Sequence, residues 1–499
     1  MKVLVTGGTG VVGVAAVREL LKRGHQVRLL SRHARRDAAQ FPDGVEPFEG
    51  TVSDATTVSG CADVCEAVLH IVGIVRAESP DATLEAVNVD GTRNMLVEAE
   101  RAGIRRFVYV SSLGAERGTS DYHRTKREAE ELVERWPGNW TIVRPGNVYG
   151  PGDEQLSMLL TMVRTLPALP VIDAGDQPFQ PILADDLAVA LANVLERTDL
   201  SGRSLDVAGA EITTMDEVIA HFERITGKER ARIPVPSWLA STGSKMASVF
   251  GVDAPISADQ VTMLVEENVI PPNGVNALTE VLHVTPTPLV EGLRRLADAQ
   301  PEKLPSDGVG RLFRRRYWAD IYGSRYSPDE LFRLLRDHFA TLTPDTMEIG
   351  AEPGTPTRIE EGATITMALP FRGNVQVRVE EVSDRSMTLV TLEGHPLAGA
   401  VRFLFEERGD AVRFEVQSYD RAGSTIDRIA MSTLGRFVKS ATWSSLVQRI
   451  VDVSGGRAAD GVQTESEALD EEQATRVEGW VADLVTQRKR EENQEHMQR

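Results

Sequence analysis

Val5-Thr6-Gly7-Gly8-Thr9-Gly10-Val11-Val12-Gly13 decides the fold of this chain. The residues before the bend, Lys2 to Val5, read as a short strand, and Val12 to Arg23 read as a helix. A glycine-rich bend between a strand and a helix permits a tight turn and lets main-chain amides approach a diphosphate. It also points the positive end of the helix at that charge. Gly8, Gly10 and Gly13 fit the dinucleotide spacing, and Gly7, Gly10 and Gly13 fit the variant with one extra residue. Thr9, Val11 and Val12 complete the expected cradle. The alternative is a purely structural turn, and the strand–turn–helix context argues against it.

Outward from the bend, Gln26–Leu30, Ala67–Val75, Phe107–Val110 and Thr141–Val143 read as strands, with Thr92–Ala102 a helix among them. Apolar strands without alternation, separated by helices, predict an α/β fold over residues 1–300. This is a Rossmann doubly wound parallel sheet with a small substrate subdomain. Pro301–Arg316 mixes Pro, Gly, Ser and an arginine run, so residues 301–325 read as a linker. Ser327 with Glu330 three positions on forms a capping box for a helix reaching Phe339. Ala363–Gln417 alternates at period two, as at Val375, Val377 and Val379, which predicts an antiparallel meander. Leu434–Val451 returns to helical spacing, so residues 326–460 read as a separate α+β domain. Residues 461–499 read as a charged tail. Val477, Trp480, Val481, Leu484 and Val485 line one face of an amphipathic helix, followed by a solvated end. That face docks either on its own domain or on a partner chain.

Composition narrows the function. Hydrophobic residues make up 41% and charged residues 26%, ordinary for a folded protein, and the formal net charge is −19. Such a balance argues against nucleic-acid or anionic-membrane binding. No stretch reads as a membrane span or a signal peptide. The two cysteines, Cys61 and Cys65, make no disulfide framework and too few ligands for zinc. No metal is expected, and a reducing cytoplasm fits.

The second strand ends Leu29-Leu30-Ser31-Arg32, without the acid that an NAD site places near this point. Arg32, with Arg35 and Arg36, can pair with a 2′-phosphate, which favours NADP over NAD. A solvated basic loop is the alternative. Asp54, followed by Ala55, can accept from the adenine amine or cap a helix. Val72 and Gly73, at the end of the strand Ala67–Val75, and Ser111 are assigned to the same cofactor. Val110-Ser111-Ser112 closes a strand, and Tyr122 and Lys126 follow it four apart, on one helix face. An ammonium near a phenol lowers the phenol pKa, and such a tyrosine exchanges protons with a carbonyl or alcohol oxygen. Ser112 can bond that same oxygen.

The glycine turn, Asn88-Val89-Asp90-Gly91-Thr92-Arg93-Asn94, Val110-Ser111-Ser112, Tyr122 with Lys126, and Arg144-Pro145-Gly146-Asn147-Val148-Tyr149-Gly150-Pro151-Gly152 occur in the order of extended or atypical short-chain dehydrogenases. Over about the first 300 residues the chain resembles that superfamily. Ser111-Ser112-Leu113-Gly114-Ala115 and Gln180-Pro181-Ile182 with Asp185-Asp186 resemble the subgroup of the NDUFA-type accessory subunit of respiratory complex I. The resemblance implies Ser112, Tyr122 and Lys126 as the catalytic set, with Asn88 in support. It also implies that Lys126 holds the nicotinamide ribose and that Pro145, Gly146, Asn147 and Val148 lie beside the nicotinamide. Only ten positions separate Ser112 from Tyr122, a shortening shared with atypical members. Thr391-Leu392-Glu393-Gly394-His395-Pro396-Leu397-Ala398-Gly399, followed by Phe403, resembles a bacterial domain of unknown function allied to the START/Bet v 1-like (SRPBCC-type) fold. Such folds often enclose an apolar cavity. His395, followed by Pro, reads as a turn residue.

The expected activity is an NADP-dependent, or NAD-dependent, oxidoreductase acting on the carbonyl or alcohol of a hydrophobic small molecule. The second domain would bind or shield that substrate, and an oligomer is compatible. Epimerisation or dehydration through a keto intermediate is the variant within enzymes. A non-catalytic NADPH-binding sensor or assembly protein is the rival outside them.

Overall fold

In a computed structural model, residues 1–77, 79–173, 175–236, 266, 268–344, 347–370, 372–425, 427–428 and 435–498 are described. The chain opens with β1 (Lys2–Thr6), α1 (Val11–Lys22), β2 (Gln26–Ser31), α2 (Ala34–Ala39), β3 (Val45–Glu49) and α3 (Ala55–Val58). It continues with β4 (Ala67–His70), α4 (Gly91–Arg101), β5 (Arg106–Val110), α5 (Asp121–Glu134) and β6 (Asn139–Pro145). With the strand Arg203–Val207 these make a seven-stranded parallel sheet. Its order is β3-β2-β1-β4-β5-β6 and then Arg203–Val207. The strand order reverses between β1 and β4, so the loops leaving them diverge and open a crevice at the strand C-termini.

Successive residues of each strand feed opposite cores. Val3, Val5, Leu29 and Val108 pack with Ala16, Val17 and Leu20 of α1 and with Leu191 of the helix Ala184–Glu196. Leu4, Leu30, Val68 and Tyr109 pack on the other side with Met95 and Leu96 of α4 and Ala129 of α5. Two covered faces explain the unbroken apolar runs. β4 is shorter than expected, ending at His70, and Ile71–Gly73 form the wall of the crevice instead. The helices Leu156–Thr165, Met215–Thr226 and Leu289–Asp298 gather around Leu160, Val163, Phe222 and Leu293 in a smaller helical subdomain.

The second sheet has nine strands and is antiparallel. Five of them, Thr364–Leu369, Gly373–Val382, Ser386–Thr391, Leu397–Arg408 and Ala411–Ala422, form the meander. The helices Pro328–Asp337, Phe339–Leu342 and Gly435–Ser454 cover one face. Ser327 caps the first of these, accepting from Glu330 N while Glu330 accepts from Ser327 N.

Two expectations are corrected here. Residues 301–325 are not a linker, because Val309–Tyr322 is a 14-residue strand inside the second sheet. Its arginines are neutralised across strands, Arg315 by Asp420 at 2.9 Å and Arg316 by Glu415 at 2.6 Å and Glu465 at 3.1 Å. In residues 461–499 the apolar helix face docks on its own domain, one of the two expected outcomes, but the end is not solvated, since Arg488 and Asn493 are buried. Gln463–Ala468 adds a strand, and the helix Glu471–Gln498 packs Trp480, Val481 and Val485 on Val390 and Ala400 of the sheet's other face. Between the helices and the sheet, Phe332, Phe339, Phe403, Phe405, Phe414 and Trp443 pack in ring contacts at 4.5–6.3 Å, edge-on except for stacked Phe405 and Phe414.

Candidate active site

The glycine turn is dictated by contact distances. Gly7 has φ +70, and a Cβ there would lie 2.7 Å from Val72 N. A Cβ on Gly8 would meet Leu29 at 2.4 Å, and one on Gly13 would meet the Gly7 carbonyl oxygen at 2.0 Å. Gly10 differs. Its nearest neighbour would be the Gly7 oxygen at 3.7 Å, so packing does not exclude a side chain there. Gly10 N donates to Gly7 O at 3.2 Å, and Gly10 caps α1 without any side-chain hydrogen bond. The first-turn amides at Val11, Val12 and Gly13, which no helix can satisfy internally, thus lie at the crevice beside exposed Thr9 and Gly10. A cradle lined by main-chain donors and left open where a Cβ would fit suits a dinucleotide diphosphate.

Gly73 faces this turn through its neighbour Val72. A Cβ on Gly73 would sit 2.6 Å from Lys126 Nζ, so glycine is what lets that ammonium reach the crevice floor. Lys126 is buried, donates to Val110 O at 3.0 Å and lies 5.2 Å from the Tyr109 ring centre. Asn88, on a π-helical turn over Glu85–Asp90 that leads into α4, fastens two walls together. Its Oδ1 accepts from Ile74 N at 3.0 Å, and its Nδ2 donates to Ile74 O at 3.1 Å and Thr125 Oγ1 at 3.0 Å.

α5 begins at Ser120, whose hydroxyl accepts from His123 N at 3.2 Å. One turn later Tyr122 and Lys126 share a face, and the Tyr122 phenol is hydrogen-bonded to Ser112. Burial pushes the Tyr122 phenol up to about 12, with the Ser112 bond opposing. Burial lowers Lys126 to about 8, with Glu130 opposing. The expected lowering of the phenol by its lysine is therefore corrected, since burial dominates both groups. Ser111 donates its N–H to Val143 O at 2.8 Å, while its buried hydroxyl has no partner among the described residues.

At the adenosine end, Arg32, Arg35 and Arg36 are exposed where β2 runs into α2. Asp37, an acid beyond the strand end, accepts from Ser31 Oγ and pairs with Arg36 at 3.2 Å. Asp54 acts as a cap, accepting from Thr56 N at 2.9 Å and Thr56 Oγ1 at 2.7 Å, with Ala55 opening α3. Beyond β6, Gly146 N donates to Val207 O at 2.9 Å, and a Cβ there would strike Gln180 O at 2.4 Å. Asn147 Oδ1 accepts from Asn268 Nδ2 at 2.7 Å, and Val148 pairs with Ile182. Gly150 approaches the side chain of Val11 at the start of α1, where a Cβ would lie at 3.1 Å.

Sequence reasoning missed His70, His123 and Glu266. His70, fully buried at the end of β4, contacts Thr6 Oγ1 at 2.7 Å and Thr92 Oγ1 at 3.1 Å. Burial, with Lys126 adding, pushes its imidazole down to about 3. His123 fills space that Gly114 and Gly118 leave, where Cβ atoms would fall 2.4 and 2.1 Å from its ring. Glu266 accepts from His123 Nδ1 at 2.7 Å and from Thr119 N and Ser120 N, so it holds the start of α5. The short Ser112–Tyr122 interval thus packs against one imidazole. His395 lies in a turn, with its Nδ1 accepting from Leu397 N at 3.0 Å. Among the described residues there is no metal-ligand cluster and no helix long and apolar enough to cross a membrane.

Comparison with known proteins gives two family matches. Residues 3–208 match the NAD dependent epimerase/dehydratase family, and residues 334–451 match a domain of unknown function, DUF1990. "Sterol demethylase protein B" of Methylococcus capsulatus is 32% identical over 260 residues, 47% of this chain and 78% of that protein. "3 beta-hydroxysteroid dehydrogenase/Delta 5-->4-isomerase" of Mycobacterium tuberculosis is 27% identical over 293 residues, 51% of this chain and 78% of that protein. "NADH dehydrogenase [ubiquinone] 1 alpha subcomplex subunit 9, mitochondrial" of Arabidopsis thaliana is 26% identical over 335 residues, 65% of this chain and 80% of that protein.

Proposed function

The chain belongs to the NAD dependent epimerase/dehydratase family and is an NAD(P)-dependent oxidoreductase, and from that premise we propose that it interconverts a ketone and a secondary alcohol on an apolar small molecule. The observation that carries the reading is the Ser112–Tyr122 hydrogen bond, one helical turn from buried Lys126 at the floor of the crevice. When bound, the nicotinamide supplies or accepts the hydride. The Tyr122 phenol, neutral at pH 7, delivers its proton to the carbonyl oxygen during reduction and takes it back during oxidation. Ser112 donates to that same oxygen and orients it. Lys126 steadies the ribose end and keeps positive charge beneath the phenol. Asn88 holds the crevice wall that Lys126 packs against.

NADP(H) is the preferred partner in this reading, supported by Arg32, Arg35 and Arg36. An apolar substrate is supported by the sterol and steroid named in two relatives. Buried, unpaired Cys61 and Cys65 support a reducing compartment such as the cytoplasm. The START/SRPBCC-type reading of the second domain rests on its helix-over-meander layout. Epimerisation or dehydration would use the same Tyr122.

The test is Tyr122→Phe. NADPH binding is retained, and oxidation of NADPH by a panel of cyclic and steroid ketones falls about 10²–10⁴-fold. Full turnover by the variant would remove Tyr122 from the chemistry. A wild type that binds NADPH and oxidises it with no ketone on the panel would favour a sensor.

A further inference from the structure

We propose that Asn493, near the end of the final helix, is a positioning residue for the adenosine end of the cofactor site, so that the second domain completes the pocket of the first. The inference rests on reading Arg32, Arg35 and Arg36 as partners of a 2′-phosphate. Two of these, Arg35 and Arg36, stand on α2, which has only six residues. A helix that short does not hold its shape by its own hydrogen bonds and needs fastening from outside.

Asn493 supplies the fastening. It is 1% exposed although it lies in a run of charged and polar residues, six positions before Arg499. Nδ2 donates to the carbonyl of Gln40 at 2.6 Å. Gln40 is the C-cap of α2, and its oxygen is one that the helix cannot satisfy internally. Asn493 Oδ1 accepts from Arg18 Nε on α1, the helix that begins at the glycine turn. Arg490 pairs with Asp43 at 3.0 Å just beyond α2, and Met497 packs on the first domain's core.

The other end of the fastening is rooted in the second domain. Arg488, also buried, donates to Glu380 at 2.6 Å and to Glu302 at 2.6 Å. Burial would raise the Glu302 carboxyl, but Lys489, Arg488 and Arg378 outweigh it and hold Glu302 ionised. Five residues of helix, about 7–8 Å, therefore link a fixed ionic anchor to the cap of α2. The sequence expectation of a solvated end hid this contact, because Asn493 lies in a run of charged and polar residues.

The experiment uses the full chain, as wild type and as Asn493→Leu, titrated with NADPH, NADH and adenosine 2′,5′-bisphosphate. Losing both bonds weakens NADPH and the bisphosphate about fivefold or more, and NADH less than about twofold, because only the first two carry the 2′-phosphate. By reciprocity, the bisphosphate slows hydrogen exchange at residues 489–497 of the wild type. A merely structural loss would weaken all three ligands alike and would overturn the proposal, as would unchanged NADPH affinity. If Asn493→Leu does not fold, Asn493→Ala also removes both bonds without adding an apolar side chain, with the same expected pattern. A wild type that fails to bind NADPH would defeat the dinucleotide reading itself, a result distinct from equal, tight binding by both proteins.

Discussion

His70 sits at the floor of the crevice, yet it is held neutral between two threonine hydroxyls by burial. Its folded value, about 3, lies below the ordinary 6.5. Between those values the unfolded chain takes up a proton that the folded chain refuses. Stability therefore falls as pH drops through this window, by up to about 1.4 kcal/mol per pH unit, and is fully present above it. Replacing the imidazole with a neutral amide, His70→Gln, should flatten the loss of melting temperature on acidification below about pH 6.5. The same acid slope in both proteins would show that His70 does not set it. A lone histidine in an apolar strand reads the same in sequence whether it is core or site, which is why spacing exposed Ser112, Tyr122 and Lys126 but not His70. His123 and Glu266 are 143 positions apart, and no local pattern joins them.

At the level of the element, the four glycines of the opening turn divide by cause. Gly13→Ala drives a methyl group into the Gly7 carbonyl at 2.0 Å, so the turn must shift. Overpacking of this kind costs about 1–3 kcal/mol, and both melting temperature and NADPH affinity should fall. Gly10→Ala meets nothing closer than 3.7 Å. It should leave the melting temperature unchanged while weakening NADPH about tenfold or more, because the methyl stands where the diphosphate approaches. Equal thermal losses in the two variants would refute this division. The strands of the first sheet were legible because residues such as Val3, Leu4 and Val5 are buried on both faces. The strand Val309–Tyr322 was not, because its arginines look solvated until Asp420, Glu415 and Glu465 arrive from strands about 100 to 150 residues later. A charged interior strand and a charged linker share one composition and differ only in their distant partners.

At the level of the whole molecule, the two domains meet through a buried charge. Arg164, on the helix Leu156–Thr165, donates to Glu352 of the second domain at 2.9 and 2.8 Å, to Gln376 Oε1 at 2.8 Å and to Ala297 O at 3.1 Å. Arg164 is 5% exposed and Glu352 is 4% exposed. Gly373 of the meander lies so close that a Cβ would meet the Arg164 carbonyl at 2.2 Å. That helix begins beside Gln155, which accepts from Asn147 near the crevice, so the contact braces one wall of the crevice. Removing one partner of a buried pair strands the other without solvent, a loss of about 3–5 kcal/mol. Arg164→Met and Glu352→Met should each lower the melting temperature sharply. The double variant should recover much of the loss, because two apolar side chains leave no orphaned charge. Additive losses in the double variant would mean that the pair is not coupled across the interface. Recovery of stability in the double variant without recovery of turnover would show that the second domain steers the Arg164 helix as well as holding it, since the pair's directional bonds, unlike its bulk, cannot be replaced by methionine.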